Sequence, residues 1–159
     1  MPENRMLYWD ACVFLSYIND IPDRVKTIQA ILDDVGNNDK EKILTSTISK
    51  VEVAFSAQEN LNRALIPDEE AKIDALWDDA SVVELIDLNE GITALARDIM
   101  REGITRGWKI RPNDAIHLAS AKWINAREIN TYDDKLPKFQ DIVGIPITYP
   151  TALQPKLFL

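Results

Sequence analysis

The chain has 159 residues, a length that suits one domain with a sizeable hydrophobic core. Its net charge of −8, from 18 basic and 26 acidic side chains, excludes a nucleic-acid binder that works through overall positive charge. A single cysteine and a single histidine exclude a disulfide framework and the usual Cys-rich or His-based zinc sites. Any catalytic chemistry must therefore rest on carboxylates.

The sequence gives no sign of a membrane segment. No apolar run approaches the roughly 18 residues that span a bilayer, and the first ten residues lack the apolar stretch of a signal peptide. We therefore expect a soluble, cytoplasmic protein that does not contact a membrane, folded as a single domain over residues 1–159.

Short apolar runs alternate with apolar stripes at three- and four-residue spacing, which predict strands and helices respectively. In chain order, the pattern predicts a strand over 6–9, a helix over 11–19, a helix from 23 that stops at Gly36-Asn37-Asn38, a strand over 42–45, a helix over 47–61, a helix from 67, a strand over 82–86, a helix from 89, a helix over 112–126, and strands over 128–131 and 145–148. Strands alternating with helices predict an α/β sandwich around a mostly parallel sheet.

Four acidic residues are placed to meet at one edge of this sheet. Asp10 ends the first strand and Asp133 follows the fourth, while Glu52 lies in the helix after the second strand. Asp114 lies in the first turn of the helix that leads into the fourth strand. Because strand carboxyl ends and helix amino ends share one edge of a parallel sheet, four separate segments bring a carboxylate there.

A cluster of carboxylates is the ligand set of a hard cation. Mg²⁺ and Mn²⁺ prefer oxygen ligands and use few protein carboxylates beside substrate phosphate. Without a cation, the clustered carboxylates would repel and raise one another's pKa. The pattern therefore predicts phosphodiester hydrolysis by metal-activated water. Taken singly, each acid has the alternative of a helix cap or a solvated side chain, so the prediction depends on all four together.

Each acid stands in a short motif, and the four motifs occur in a fixed order. They are Leu7-Tyr8-Trp9-Asp10, Ser46-Thr47-Ile48-Ser49-Lys50-Val51-Glu52, Pro112-Asn113-Asp114-Ala115-Ile116-His117 and Thr131-Tyr132-Asp133. In this order and spacing they resemble the motifs of PIN domains, and within that superfamily those of the VapC-type toxins of bacterial toxin–antitoxin pairs. The resemblance extends along nearly the whole chain.

The resemblance implies a three-layer α/β/α fold around a five-stranded parallel sheet in the order 3-2-1-4-5. It implies a Mg²⁺- or Mn²⁺-dependent ribonuclease in which Asp10, Glu52, Asp114 and Asp133 are the catalytic, metal-binding residues. It also implies RNA as the substrate, a homodimer, and neutralisation by a small antitoxin protein. Asp134 adjoins Asp133, and the sequence leaves open which of the two faces the metal.

Position 12 departs from the family pattern. Cys12 stands where the family usually has Ser, Thr or Asn, and a thiol is a poor partner for a hard ion. The alternative function is therefore a catalytically weak or inactive PIN-like scaffold that binds protein or RNA. An aspartyl phosphatase is a further alternative, but that chemistry usually needs a second Asp at this position.

Two other features lie close to the third motif. His117 falls on the same helix face as Asp114, and we expect it to pack and hydrogen-bond within the fold rather than act on a substrate. The stretch 101–111 is the most basic of the chain and leads directly into Asp114. It is where we expect contacts to the RNA backbone, with solvated surface charge as the alternative.

Overall fold

The computed structural model describes residues 5–38 and 41–152, and these contain one sheet of five parallel strands. The strands are β1 (Met6–Trp9), β2 (Lys42–Ser46), β3 (Val83–Ile86), β4 (Glu128–Asn130) and β5 (Ile147–Thr148). Their order across the sheet is β3-β2-β1-β4-β5, and every neighbouring pair is parallel. The expected strand order is confirmed, and β1 is the central strand.

Eight α-helices connect or follow these strands within the described residues. They are α1 (Ala11–Ile18), α2 (Pro22–Asn38), α3 (Ile48–Glu52), α4 (Ala57–Asn62), α5 (Pro67–Asp78), α6 (Glu90–Thr105), α7 (Pro112–Trp123) and α8 (Gln140–Val143), the last preceded by a 3₁₀ turn over Pro137–Phe139. None of these helices is both long and apolar enough to cross a bilayer.

The central strand shows why helices cover both faces of the sheet. Successive side chains of a strand point to opposite faces. Leu7 and Trp9 pack with residues of α1, α2 and α5, whereas Tyr8 packs with residues of α6, α7 and α8. All three side chains are buried, so neither face can be left to solvent. The result is the expected three-layer α/β/α arrangement.

The predicted helix begins as expected after Thr47, but its expected continuation to Leu61 is wrong, because the chain ends α3 at Glu52 and starts α4 at Ala57. The N–H of Glu59 donates to the Ser56 hydroxyl at 3.1 Å, and the N–H of Ser56 donates to the Glu59 carboxylate at 3.0 Å. This reciprocal capping box starts a new helix in the middle of an unbroken apolar periodicity. As a consequence Val51 and Phe55, expected in a buried stripe, are 77% and 52% exposed.

Smaller differences concern helix ends and one short segment. The α2 helix includes Gly36 and Asn37 and ends at Asn38, the last residue of the predicted stop. The α7 helix ends at Trp123, before the predicted 126, because Asn125 adopts a left-handed backbone conformation with a φ of 54°. The 3₁₀ turn and α8 were not predicted, although Phe139 within them is fully buried.

A buried serine provides a test of the packing around β1. Ser120 on α7 and Ser49 on α3 are both fully buried. The Ser49 hydroxyl is hydrogen-bonded to that of Thr45 at 2.7 Å, whereas the Ser120 hydroxyl makes no hydrogen bond of normal geometry among the described residues, although it lies near enough to the Tyr8 hydroxyl to act on its pKa. We therefore expect Ser120→Ala to raise the free energy of unfolding by about 1 kcal/mol, because it removes an unpaired polar group.

The matched substitution Ser49→Ala makes the same chemical change at a paired hydroxyl. We expect it to lower the free energy of unfolding by about 1 kcal/mol. Urea unfolding of both variants beside the wild-type protein measures the two shifts. Shifts of the same sign and size would contradict the assignment of Ser120 as unpaired.

Candidate active site

The first predicted acid lies at the carboxyl end of the central strand and is almost completely buried. Asp10 is 3% exposed and occupies the N-cap position of α1, yet its side chain does not cap that helix. Instead its Oδ1 accepts the Cys12 S–H at 2.9 Å and its Oδ2 accepts the Thr131 O–H at 2.6 Å. The helix-cap alternative is therefore wrong for Asp10.

The surroundings of Asp10 oppose its ionisation. Burial raises the pKa of this carboxyl above its ordinary value, and the negative charge of Asp114 adds to the effect. The interaction with the His117 imidazole and the hydrogen bonds from Cys12 and Thr131 act in the opposite direction. A protein that keeps a carboxyl in such a place holds a charge that a bound cation would stabilise.

Thr131 and Cys12 connect the fourth motif to the first. Besides donating to Asp10, the Thr131 hydroxyl accepts the backbone N–H of Asp133 at 3.0 Å. The Cys12 sulfur accepts the N–H of Tyr132 at 3.2 Å. Burial, reinforced by the Asp10 charge, raises the pKa of Cys12 to about 12. The thiol therefore stays protonated at neutral pH and donates to Asp10 rather than adding a second negative charge.

The Glu52 carboxylate is hydrogen-bonded to a buried histidine, which is in turn hydrogen-bonded to a tyrosine of the central strand. His117 is 1% exposed, with Nε2 2.6 Å from the Glu52 carboxylate and Nδ1 2.7 Å from the Tyr8 hydroxyl. The Tyr8 oxygen accepts the N–H of Ser46 at 3.1 Å, which leaves its own proton for Nδ1 of His117. The Nε2–H then donates to Glu52. His117 packs and hydrogen-bonds as expected, but its partner is one of the predicted site residues.

Asp114 and Asp133 line one cleft with a volume of about 730 Å³. Asp114 is largely buried, and its Oδ2 accepts the Nε–H of Arg111 at 3.0 Å. Asp134 is not among the residues that line this cleft, and it accepts the hydroxyl of Tyr149. Of the two neighbouring acids, it is therefore Asp133 that faces the cleft.

Electrostatic interactions link all four predicted acids. The pKa of Arg111 is raised first by its hydrogen bond to Asp114, and the charges of Asp133 and Glu52 contribute to the same shift. Asp10 in turn interacts with the charge of Asp114. Asp10 and Asp133 follow β1 and β4, Glu52 ends α3 after β2, and Asp114 lies in the first turn of α7, so the topology directs the four acids to the same edge of the sheet.

In the structure, the four carboxylates do not form a complete set of metal ligands. Among residues 5–38 and 41–152, no three His, Cys, Asp or Glu side chains are close enough together to hold a metal ion. Glu52 is engaged by His117 and Asp114 by Arg111. Asp10, whose charge interacts with that of Asp114, is hydrogen-bonded to a thiol and a hydroxyl.

The chemistry of these donors nevertheless fits a small hard cation. Every candidate ligand is a carboxylate oxygen, and each such oxygen can accept a second interaction beyond the hydrogen bond it already makes. Mg²⁺ is usually held by one or two protein carboxylates together with water and substrate phosphate. Asp10 and Asp114 have the donor chemistry of such a pair, which would not need a third fixed protein ligand.

Sequence reasoning missed the direct role of Thr131 and the chain of hydrogen bonds from Tyr8. The Thr-x-Asp spacing of the fourth motif was the only local signal for Thr131, and its contact with Asp10 spans 121 residues. The contact between Tyr8 and His117 spans 109 residues and has no local signal. Arg111 was expected to contact RNA, whereas in the structure it also binds Asp114.

Comparison with known proteins agrees with this fold and this set of motifs. The PIN domain family model matches residues 7–142. Comparison with curated proteins gives no match. Among solved structures, a chain of VapBC2 from Rickettsia felis, bound to a DNA fragment from its promoter, has a TM-score of 0.68 and 19% identity over 91% of this chain and 98% of its own.

Two further solved structures are similar to the same extent. A chain of VapBC-1 from nontypeable Haemophilus influenzae has a TM-score of 0.64 and 17% identity, covering 91% of this chain and 97% of its own. VapC20 of Mycobacterium tuberculosis, described as a Sarcin-Ricin loop cleaving toxin, has a TM-score of 0.62 and 13% identity, covering 86% and 94%. At these identities the similarity establishes the fold.

The match to the family model shows family membership, whereas the structural similarity shows only the fold. It covers well over half of the chain and includes Asp10, Glu52, Asp114 and Asp133. The strand order and the placement of these acids at one sheet edge agree with it. The chain therefore belongs to the PIN domain family.

Proposed function

We propose that the protein is a Mg²⁺- or Mn²⁺-dependent endoribonuclease and the toxin of a toxin–antitoxin pair. The observation that carries the proposal is the buried Asp10 carboxylate, hydrogen-bonded to a thiol and a hydroxyl and interacting with the charge of Asp114. PIN domain membership supports a nuclease, and the similarity to VapBC structures and to a cleaving toxin supports the toxin role.

Asp10 and Asp114 would hold the metal, with Glu52 and Asp133 completing the acidic set. When bound, the ion supplies Lewis-acid chemistry for the attack of water on phosphorus and for the charge that develops on the phosphate oxygens. Thr131 fixes the orientation of the Asp10 carboxylate. This orientation keeps the site ready for the ion without a rearrangement of the strand ends.

His117 and Arg111 each contact an acid of the site, and we propose different roles for them. His117 holds Glu52 in one orientation from a fully buried position. Arg111 is 80% exposed while bonded to Asp114, so its remaining N–H groups would contact a phosphate oxygen of the substrate. His117 therefore orients an acid of the site, and Arg111 would bind the RNA backbone.

Cys12 gave the main reason to consider an inactive scaffold, and its contacts argue for the active alternative. Its thiol donates to Asp10 and accepts from the Tyr132 backbone, which are the hydrogen-bonding tasks of a hydroxyl at this position. The substitution therefore leaves the first carboxylate supported.

The partner that we propose is a small antitoxin that carries an arginine. Arg111 already shows that the Asp114 carboxylate accepts a guanidinium at 3.0 Å. A guanidinium from another protein would pair with these carboxylates in the same way and displace the metal. We propose in addition that the toxin is a homodimer, as in the family it resembles.

Asp10→Asn should raise the melting temperature of the protein in EDTA. The substitution removes a buried charge and keeps the shape of the side chain. Because burial raises the pKa of Asp10, the ionised carboxylate destabilises the folded state at neutral pH. We expect an increase of a few degrees, since about 2–4 °C correspond to 1 kcal/mol in a chain of this size. Thermal melts followed by circular dichroism measure it, with the exposed Asp74→Asn on α5 as a control that does not shift.

The pH and metal dependence of this difference have a definite sign. A carboxyl whose pKa is raised by folding contributes stability below its unfolded pKa of about 3.9 and loses it as the pH rises through the folded pKa. The advantage of Asp10→Asn should therefore shrink as the pH falls toward about 4. Excess Mn²⁺ should stabilise the wild type more than the variant. A variant less stable in EDTA, with equal Mn²⁺ shifts in both proteins, would contradict the metal site.

Cleavage of single-stranded RNA should require Mg²⁺ or Mn²⁺ and leave a 5′-phosphate and a 3′-hydroxyl, because water is the nucleophile. Asp10→Asn, Glu52→Gln, Asp114→Asn and Asp133→Asn should each lower the cleavage rate on the order of 10²-fold or more. Asp134→Asn is the matched control for Asp133→Asn and should cleave like wild type. Gel analysis of end-labelled RNA gives both rate and product ends, and a 2′,3′-cyclic phosphate would reject the mechanism.

Co-expression with a small protein encoded immediately upstream of this chain, where the genome has one, tests the toxin role. We expect a stable complex without ribonuclease activity, and activity that returns when an arginine of the partner is replaced by alanine. Size-exclusion chromatography with light scattering also reports whether the free toxin has twice the mass of the chain. Failure of the two proteins to associate would contradict the toxin–antitoxin assignment and leave the nuclease assignment intact.

A further inference from the structure

One wall of the cleft that contains Asp114 and Asp133 is basic. The basic side chains that line it are Lys109, Arg111, Lys135 and Lys138. Four basic side chains against two carboxylates give the cleft a positive balance, in a chain whose net charge is −8. Arg111 is bonded to Asp114, so we treat the other three separately and name Lys109, Lys135 and Lys138 the lysine wall.

The lysine wall differs from Lys42 and Lys72 in its ion pairing, and from Lys26, Lys50 and Lys122, which are equally unpaired among the described residues, in that its members line one cleft. Lys42 is paired with Glu84 at 3.0 Å, and Lys72 with Asp20 at 3.0 Å. Within residues 5–38 and 41–152, no member of the lysine wall is in an ion pair with a carboxylate. Three like charges in one cleft without acidic partners repel one another, and an anion in the cleft would relieve that repulsion.

The first segment of the wall is directed into the cleft by a left-handed glycine. Gly107 has a φ of 75°, a conformation that side-chain-bearing residues seldom adopt. It closes α6 in a turn in which the N–H of Trp108 donates to the carbonyl of Gly103 at 2.8 Å. The chain then reverses, and Lys109 is the second residue after the turn.

The second segment is anchored to the active site itself. The backbone N–H of Lys135 donates to the Asp133 carboxylate at 2.9 Å, so this lysine follows the acid in a fixed turn. The Lys138 ammonium lies 5.8 Å from the centre of the Trp108 ring. Trp108 therefore joins the two segments, and the wall is organised before any ligand arrives.

We propose that the lysine wall binds phosphate groups of the RNA strand adjacent to the scissile bond, an inference that rests on the proposed nuclease function. Lysine ammonium groups are flexible point charges that contact phosphates whatever the attached base. The cleft of about 730 Å³ lies within the usual range of ligand pockets, about 300–1,000 Å³. The wall thus supplies affinity for the RNA backbone, while sequence preference must come from other contacts.

The salt dependence of RNA binding tests this proposal without any cleavage. A fluorescent single-stranded RNA is titrated in EDTA with Asp10→Asn and with the same chain carrying Lys135→Gln and Lys138→Gln. Each lost phosphate contact lowers the slope of log affinity against log salt by about 0.7 for single strands. We expect the slope to fall by about 1.4, and the affinity at about 0.1 M salt to fall about 20-fold.

Two matched variants separate a local contact from overall charge. Lys26→Gln with Lys122→Gln removes the same charge from exposed positions on α2 and α7 that do not line the cleft, and should leave the slope unchanged. Lys135→Arg with Lys138→Arg keeps both charges and should bind RNA like the parent. A slope equally reduced by the α2 and α7 substitutions, or unchanged by the wall substitutions, would overturn the proposal.

These measurements distinguish an error in the lysine-wall proposal from an error in the proposed nuclease function. If the wild type cleaves RNA but the variant with Lys135→Gln and Lys138→Gln shows an unchanged salt dependence of binding, the lysine-wall proposal is wrong and the nuclease proposal is unaffected. If the slope falls as expected but the wild type does not cleave, the wall stands and the nuclease is wrong. Tighter binding of duplex DNA than of single-stranded RNA would overturn the assignment of the wall to an RNA strand.

Discussion

The site depends on a single unfavourable feature, a carboxylate buried at the end of the central strand. Burying a charge without a bonded partner of opposite charge is costly, and the hydrogen-bond partners of Asp10 are a thiol and a hydroxyl. The neighbouring Asp114 increases the cost. A fold selected for stability alone would replace such a side chain with a neutral one, which supports the proposed binding of a cation.

The four motifs are one connected structure rather than four independent contributors of acids. Thr131 is bonded both to the Asp10 carboxylate and to the backbone of Asp133, so the ends of β1 and β4 fix one another. Tyr8, next to the first acid on β1, is bonded to His117 of the third motif, which is bonded to Glu52 of the second. The order of the motifs along the chain therefore reflects contacts between strand ends. A change in one motif should disturb carboxylates in the others.

Much of the fold could be predicted because its strands are short buried runs with strong local signals. The run 6–9 and the proline at the start of α7 fixed two elements directly. The strand order came from the family resemblance, since no local pattern tells which strands are neighbours. The break between α3 and α4 was missed because the apolar periodicity continues across it, and the capping signal of Ser56 and Glu59 competed with that periodicity and won.

At the site, too, the sequence allowed the residues to be identified but not the contacts between them. The four acids could be named from position along strands and helices, and the choice of Asp133 over Asp134 needed the three-dimensional cleft. Arg111 could be recognised as a cation near Asp114, three residues away on one helix turn. That its charge also interacts with Glu52 and Asp133 follows only from the fold.

An acidic protein that acts on a polyanion must solve an electrostatic problem, and the distribution of charge shows how. At physiological ionic strength, charges are screened beyond about 8 Å, so the net charge of −8 weakens long-range attraction without determining contacts inside the cleft. There the balance is reversed, with basic side chains outnumbering acids. Under the proposed function, the carboxylates would bind a cation and the lysines would contact the phosphates. Composition argues against binding through overall charge, and the structure places four basic side chains together in the cleft where, under the proposed function, the RNA strand would lie.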